Sequence, residues 1–235
     1  MGESGCGKSV TMRAIMGILP TPPARVHRGS ITYDGRDLLT MPGRQRDALK
    51  GTEMSMIFQD PMTSLNPVFR IGHQMQDIVL WSDRRRGRKR SADARKTRVL
   101  EVLSMVRLPD PRRIYEAYPI QLSGGMRQRI LIGMSLLNEP RLLIADEPGT
   151  ALDVTTQDEI LSLLDELVRE EGLSLLMITH NLGVVRQMTD HVYVMYAGAV
   201  VEQGPTAELF ANPSHPYTEA LLACVPKLSG DAVYE

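Results

Sequence analysis

Aromatic side chains are scarce in this 235-residue chain, at one Trp, three Phe and seven Tyr. The core must therefore rest on Leu, Ile, Val and 14 Met. Cysteine is almost missing. Cys6 and Cys224 stand too far apart in sequence for a metal-ligand spacing and suggest no disulfide framework, so a reducing setting is expected. Charge of either sign is not in excess: the formal net charge is −1, which removes any global pull toward polyanions or anionic lipid. No apolar run approaches the roughly 20 residues of a membrane-spanning helix. The N-terminus lacks the basic-then-apolar order of a secretory signal. These absences lead to the expectation of a cytosolic or peripheral protein that forms no channel itself. One segment breaks the charge balance: Arg84 to Arg90 carries six basic residues in seven positions. It reads as a solvated loop between helices, and the lack of interleaved aromatics argues against a nucleic-acid surface.

What is present begins at once. Gly2, Glu3, Ser4, Gly5, Cys6, Gly7, Lys8 and Ser9 spell G-x-x-x-x-G-K-S, a phosphate-cradling loop. Its glycines let the backbone turn so that successive N–H groups face phosphate oxygens. Lys8 brings a mobile positive charge to the β- and γ-phosphates, and the Ser9 hydroxyl suits Mg²⁺. Met12, Ile15, Met16 and Leu19 follow at helical spacing, so a helix is expected from Lys8 until Thr21-Pro22-Pro23 stops it. The positive end of that helix adds to the anion site. Such a loop normally hangs from a buried strand, and only Met1 precedes it here; the chain is therefore expected to be truncated at its N-terminus.

Further on, Gly29 to Tyr33 with Asp34-Gly35 reads as a strand and tight turn, and Met54 to Phe58 as a second strand. Residues 60 to 138 are mostly helical in pattern, with Val99, Leu103 and Val106 on one face of a helix starting near Ser91. After Pro140 the character becomes alternating α/β. Leu142 to Ala145, Leu173 to Ile178 and His191 to Met195 read as buried strands, and Ile160, Leu163, Leu164 and Leu167 mark an amphipathic helix closed by Gly172. Ala197-Gly198 signals a turn, and Pro205 opens a short helix, Thr206 to Ala211. The fold class is α/β, a nucleotide-binding core with a helical insertion at 60–138.

Two segments carry further chemistry. Arg141 to Pro148 is an apolar strand that delivers Asp146 and Glu147 at its C-terminal end, where parallel sheets place ligands. Asp146 is a hard oxygen donor suited to Mg²⁺. Glu147 can polarise the water that attacks a γ-phosphate. Upstream, Leu122-Ser-Gly-Gly-Met-Arg-Gln128 offers Ser123 as a helix N-cap and two glycines that leave backbone N–H groups accessible, a second anion nest.

The ordered set of phosphate loop, Phe58-Gln59-Asp60-Pro61, LSGGMRQ, LLIADEP, Ala151-Leu152-Asp153 and Ile178-Thr179-His180 resembles ABC-type ATPases along essentially the whole chain. The resemblance implies a P-loop NTPase fold with a mostly parallel central sheet and a helical subdomain, binding ATP and Mg²⁺. It makes Gln59 the residue that senses Mg²⁺ and the transmembrane partner. Ser123, Gly124 and Gly125 would meet the γ-phosphate held by a second subunit, and Gln128 of the same motif is counted among the nucleotide-binding residues. Asp153 would lie in the loop crossing that dimer interface, and His180 would contact the γ-phosphate. More narrowly, Gln59 to Pro67, Met195-Tyr-Ala-Gly198 and His215-Pro-Tyr-Thr-Glu-Ala-Leu-Leu222 are similar to the ATP-binding subunits of oligopeptide, dipeptide and nickel importers. That implies transmembrane permease subunits and an identical or related second ATPase subunit as partners. An extracytoplasmic solute-binding protein would be an indirect partner, and the location the cytoplasmic face of the inner membrane. By the same comparison a cysteine-containing tail is expected to be missing beyond the His-Pro-Tyr segment. The alternatives are a non-transport ABC ATPase, resembling the subunit of the carbon–phosphorus lyase assembly or a DNA-associated enzyme, and an inactive fragment. Two positions depart from the pattern: Gly149 stands where Thr or Ser is common, and Asn181 where Asp is common.

Overall fold

A computed structural model describes residues 1–58, 64–149 and 152–223. The chain divides into two compact units, one of Met12–Met177 and one that joins Met1–Thr11 to the segment from Ile178 onward.

Helix α1 spans Lys8–Met16. It ends earlier than the prolines predict. Gly17 takes φ 63°, and the Ile18 N–H reaches back to the Arg13 carbonyl at 2.9 Å while the Gly17 N–H reaches Ala14 at 3.0 Å. This is a Schellman closure, which consumes carbonyls the helix would otherwise leave unpaired. The left-handed glycine stops the helix before Pro22 is reached.

Within the unit Met12–Met177, Thr32–Tyr33 (β1) and Arg36–Asp37 (β2) pair antiparallel across Asp34 at φ 50° and Gly35 at φ 73°. Two consecutive positive φ angles match the strand twist, which is why Asp-Gly suits the turn. Helix α2 (Gly43–Leu49) leads to β3 (Met54–Ile57). Helices α3 (Ile71–Arg85), α4 (Ala92–Met105) and α5 (Pro111–Glu116) follow, then a 3₁₀ turn at Pro119–Gln121 and α6 (Gly124–Leu136). Strand β4 (Leu142–Asp146), helix α7 (Val154–Glu171) and strand β5 (Ser174–Ile178) complete it. The sheet order is β3-β4-β5, and β3 pairs parallel with β4 from Met54↔Leu142 to Ile57↔Ala145. Met16, Leu38, Leu49, Met54 and Ile144 form a buried cluster on it. Ile71, Met75 and Val79 of α3 and Val99, Val102 and Leu103 of α4 are buried, the apolar faces that helical spacing predicts, while α6 buries Ile130 and Ile132 on opposite sides.

β5 differs from its expected burial. Ser174 is exposed and Leu175, Leu176 and Met177 are only half-buried, because β5 is an outer strand of its three-stranded sheet.

In the other unit, α8 (Leu182–Met188) precedes β6 (His191–Tyr196) and β7 (Ala199–Pro205), which form an antiparallel hairpin through Ala197 and Gly198. β6 also departs from the expectation of a buried strand. Val192 and Val194 are buried while His191 and Tyr193 are exposed, the alternation of a sheet covered on one face. Helices α9 (Thr206–Ala211) and α10 (Pro216–Ala223) follow. Pro205 is the cap of α9 rather than part of its first turn. Val185, Val192, Val194 and Leu209 form the core of this unit, with Met1, Val201, Phe210, Tyr217, Leu221 and Leu222 packed around them.

Candidate nucleotide site

The phosphate loop occupies Gly2 to Gly7, with Lys8 as the first residue of α1. Gly2, Gly5 and Gly7 have φ of 146°, 84° and 103°. At Gly2 a side chain is impossible without rearrangement, because a β-carbon would lie 2.2 Å from the Met195 carbonyl oxygen. That contact comes from the main chain of Met1 running along β6: the Met195 N–H donates to the Met1 carbonyl at 2.8 Å, and the Met1 amino group donates to Tyr193 O. The Gly198 N–H in the β6–β7 turn donates to the Cys6 carbonyl at 3.2 Å. The loop is thus seated on that hairpin by backbone bonds.

Lys8 is only 8% exposed. Its ammonium donates to the Gly2 carbonyl at 2.6 Å and the Glu3 carbonyl at 2.7 Å, with Cys6 Sγ at 3.6 Å. A buried ammonium must be hydrogen-bonded, and the loop supplies those acceptors itself. Ser9 is half-buried in the first turn of α1.

In the other unit, β4 carries Asp146, 5% exposed, at its C-terminal end. Glu147 follows with φ 48°, a left-handed conformation unusual for a residue with a β-carbon. Directly after it, the Pro148 carbonyl accepts a hydrogen bond from Gln128 Nε2 at 2.6 Å. Gln128 is 2% exposed, so the last residue of LSGGMRQ is buried and braces the turn that holds Glu147. At Gly149 a β-carbon would meet Gln157 Cγ at 2.7 Å. The Gln157 side chain of α7 fills the space that Thr or Ser would need.

Ser123 caps α6, its hydroxyl accepting from the Met126 N–H at 3.3 Å. A β-carbon on Gly125 would lie 2.6 Å from Thr156 Cγ2, and one on Gly124 3.4 Å from Leu152 Cδ2. The start of α6 therefore packs against the start of α7. There Asp153 is the N-cap, accepting from the Thr156 N–H at 3.0 Å and the Thr156 hydroxyl at 2.8 Å. Those bonds, the backbone one first, hold its carboxyl below the usual carboxylate range. The structure brings Ser123, Gly124, Gly125 and Asp153 into one neighbourhood, and Gln128 beside the residue after Glu147.

His180 is exposed in the turn between β5 and α8. Next to it, Asn181 caps α8 by accepting from the Gly183 N–H at 2.9 Å and the Val184 N–H at 3.3 Å. Asn is as good a cap as Asp, so this departure retains the local geometry. Gln59, Asp60, Pro61, Ala151 and Cys224 lie outside the described residues. Sequence reasoning missed the bracing role of Gln128, the packing of Thr156, and the contact of Tyr217 with the phosphate loop. The amide of Gln128 was legible as a motif letter, but its burial was not. Among the described residues no helix is long and apolar enough to cross a membrane, and no cluster of three or more His, Cys, Asp or Glu is placed to hold a metal ion.

The chain is similar to known proteins along most of its length. Residues 1–150 match the ABC transporter family, and residues 201–233 match the oligopeptide/dipeptide transporter C-terminal region. The chain is 49% identical over 228 residues to the dipeptide transport ATP-binding protein DppD of Bacillus subtilis, covering 97% of this chain and 67% of that protein. It is 46% identical over 235 residues to the oligopeptide transport ATP-binding protein OppD of the same organism, covering 100% of this chain and 64% of the relative. The chain thus spans about two thirds of the length of these relatives. Among solved structures, a dimeric post-hydrolysis state of an ATP-binding cassette bound to ADP and Pi superposes with a TM-score of 0.74 at 27% identity, over 88% of this chain and 83% of that one. The cbiO1 protein of Clostridium perfringens, part of an ABC transporter complex, gives 0.74 at 27% identity, over 90% and 78%. On its motifs, its α/β fold and these likenesses, the chain belongs to the ABC transporter family and carries the family's ATP-binding cassette.

Proposed function

We propose that the chain hydrolyses ATP to drive import of peptides or related small solutes through a membrane transporter. The observation that carries the reading is the end of β4, where buried Asp146 is followed by Glu147 in a left-handed conformation steadied by Gln128. Backbone strain of this kind is held where a side chain must be aimed. The phosphate loop and Lys8 take the β- and γ-phosphates, and Glu147 accepts a proton from the attacking water. His180 orients the γ-phosphate. Ser123, Gly124 and Gly125 face the nucleotide of a second ATPase subunit, and Asp153 lies at that interface. The Ser9 hydroxyl and Asp146 carboxylate, with Gln59, are hard oxygen donors of the type that suits Mg²⁺. That ion is held by one or two carboxylates plus substrate phosphates rather than by a protein cage. Mg²⁺ supplies charge neutralisation at the phosphates.

The proposed partners are transmembrane permease subunits, an identical or related ATPase subunit and, indirectly, an extracytoplasmic solute-binding protein. The subunit then lies on the cytoplasmic face of the inner membrane. The names of the relatives support peptide cargo. The helical segment 60–138 would be the lobe that meets the permease. Nucleic acid is not a partner in this reading, in keeping with the net charge of −1.

The test is Glu147→Gln, which keeps the shape and removes the base. Turnover is expected to fall by about 10²- to 10⁴-fold while ATP is retained and the closed dimer accumulates on size-exclusion chromatography. Wild-type turnover in the variant would remove Glu147 from the reaction.

A further inference from the structure

We propose that Tyr217, in the His-Pro-Tyr segment, is a positioning residue for the phosphate loop. Its hydroxyl accepts a hydrogen bond from the Glu3 backbone N–H at 3.1 Å. A loop that points its N–H groups at phosphate must bend sharply, and an exposed N–H turned away at the bend is open to a side-chain acceptor as well as to water. Tyr217 is that acceptor.

The tyrosine is itself held from three sides. Its ring lies against Tyr196, with centroids 4.5 Å apart and planes tilted by 43°, a geometry that aromatic pairs favour. Its N–H donates to His215 Nδ1 at 3.1 Å. The turn before it is clamped by Glu202 of β7, whose carboxylate accepts from the Ser214 N–H at 2.8 Å and the His215 N–H at 3.1 Å. Tyr196 immediately precedes the Ala197-Gly198 turn, where the Gly198 N–H holds the Cys6 carbonyl. The loop is therefore gripped at Glu3 through a side chain and at Cys6 through the backbone, both anchored on the β6–β7 hairpin. Glu202 of β7 and His215, just before α10, thus hold the segment whose Tyr217 hydroxyl meets one amide of the loop. This gives the C-terminal segment a physical task in nucleotide binding.

The proposal rests on the reading that the loop binds ATP, and the experiment separates the two. Full-chain wild type and Tyr217→Phe are compared; Phe keeps the ring and its stacking and removes only the hydroxyl. The KM for ATP is expected to rise about 3- to 10-fold, the worth of one ordinary hydrogen bond, with kcat within about twofold of wild type. In parallel, hydrogen exchange of the Glu3 amide is expected to be slowed in wild type and fast in the variant. An unchanged KM overturns the proposal, as does a fall in kcat at constant KM or equal exchange at Glu3 in both proteins. Absence of ATP binding by wild type would instead overturn the reading of the loop as an ATP site.

Discussion

At the scale of single residues, small groups decide what large ones can do. By sequence Gly125 is a residue of an anion nest, and its missing β-carbon also lets the start of α6 press against Thr156. Gly125→Ala is expected to cost about 1–3 kcal/mol, the usual penalty of overpacking. Adding Thr156→Ser removes the offending methyl and should recover much of that loss. Urea midpoints of the two variants check this: equal destabilisation with and without the Ser would place the clash elsewhere. Lys8 shows the same economy in reverse. Its ammonium is buried against two carbonyls of its own loop, so a charge that would be costly alone is solvated by the motif that uses it. Residue identities of this sort were legible in the sequence because each motif letter has a chemical reason. Contacts such as Gly149 against Gln157 were not, since nothing local announces which side chain fills a gap.

At the scale of elements, the starts of helices carry much of the site. Ser91, Ser123, Asp153 and Asn181 each accept backbone N–H groups at the head of a helix. Sequence reasoning recognised Ser123 as a cap and placed a helix start near Ser91. For Asp153 the caps have a pH consequence. Its carboxyl titrates below its ordinary value in the folded chain, because the Thr156 N–H and hydroxyl stabilise the charged form. The contribution is fully present above the unfolded pKa, about 3.9, and is lost as pH falls through the folded value. Asp153→Ala should therefore be less stable than wild type at pH 7, with the gap closing below about pH 4. Thermal melts across that range test it, and a gap that persists in acid would mean that the carboxylate charge is not what is lost. The strands were legible in position but not in exposure. β5 and β6 are apolar enough to read as buried, and whether neighbours cover them depends on sheet order and pairing. The end of α1 shows a second limit: the two prolines are loud signals, but the quieter Gly17 acts first.

At the scale of the whole molecule, each unit has its own apolar centre, and the one around Ile144 supports the strand that presents Asp146. Ile144→Ala is expected to destabilise by about 2–5 kcal/mol through lost burial and a residual cavity. Denaturant unfolding followed by far-UV circular dichroism measures that loss, and a change below about 1 kcal/mol would show that the cluster collapses around the gap. The amino-acid sequence by itself determined the family, the order of the elements and the identity of the chemical groups. Those follow from residue type and short spacing, which the chain states directly. Only the tertiary structure decided that Gln128 turns inward to brace the β4 turn and that Thr156 packs on the signature glycine. It alone set Tyr217 against the phosphate loop that opens the chain. These contacts join residues from 20 to 214 positions apart. No local pattern encodes them, because they arise when separate elements pack.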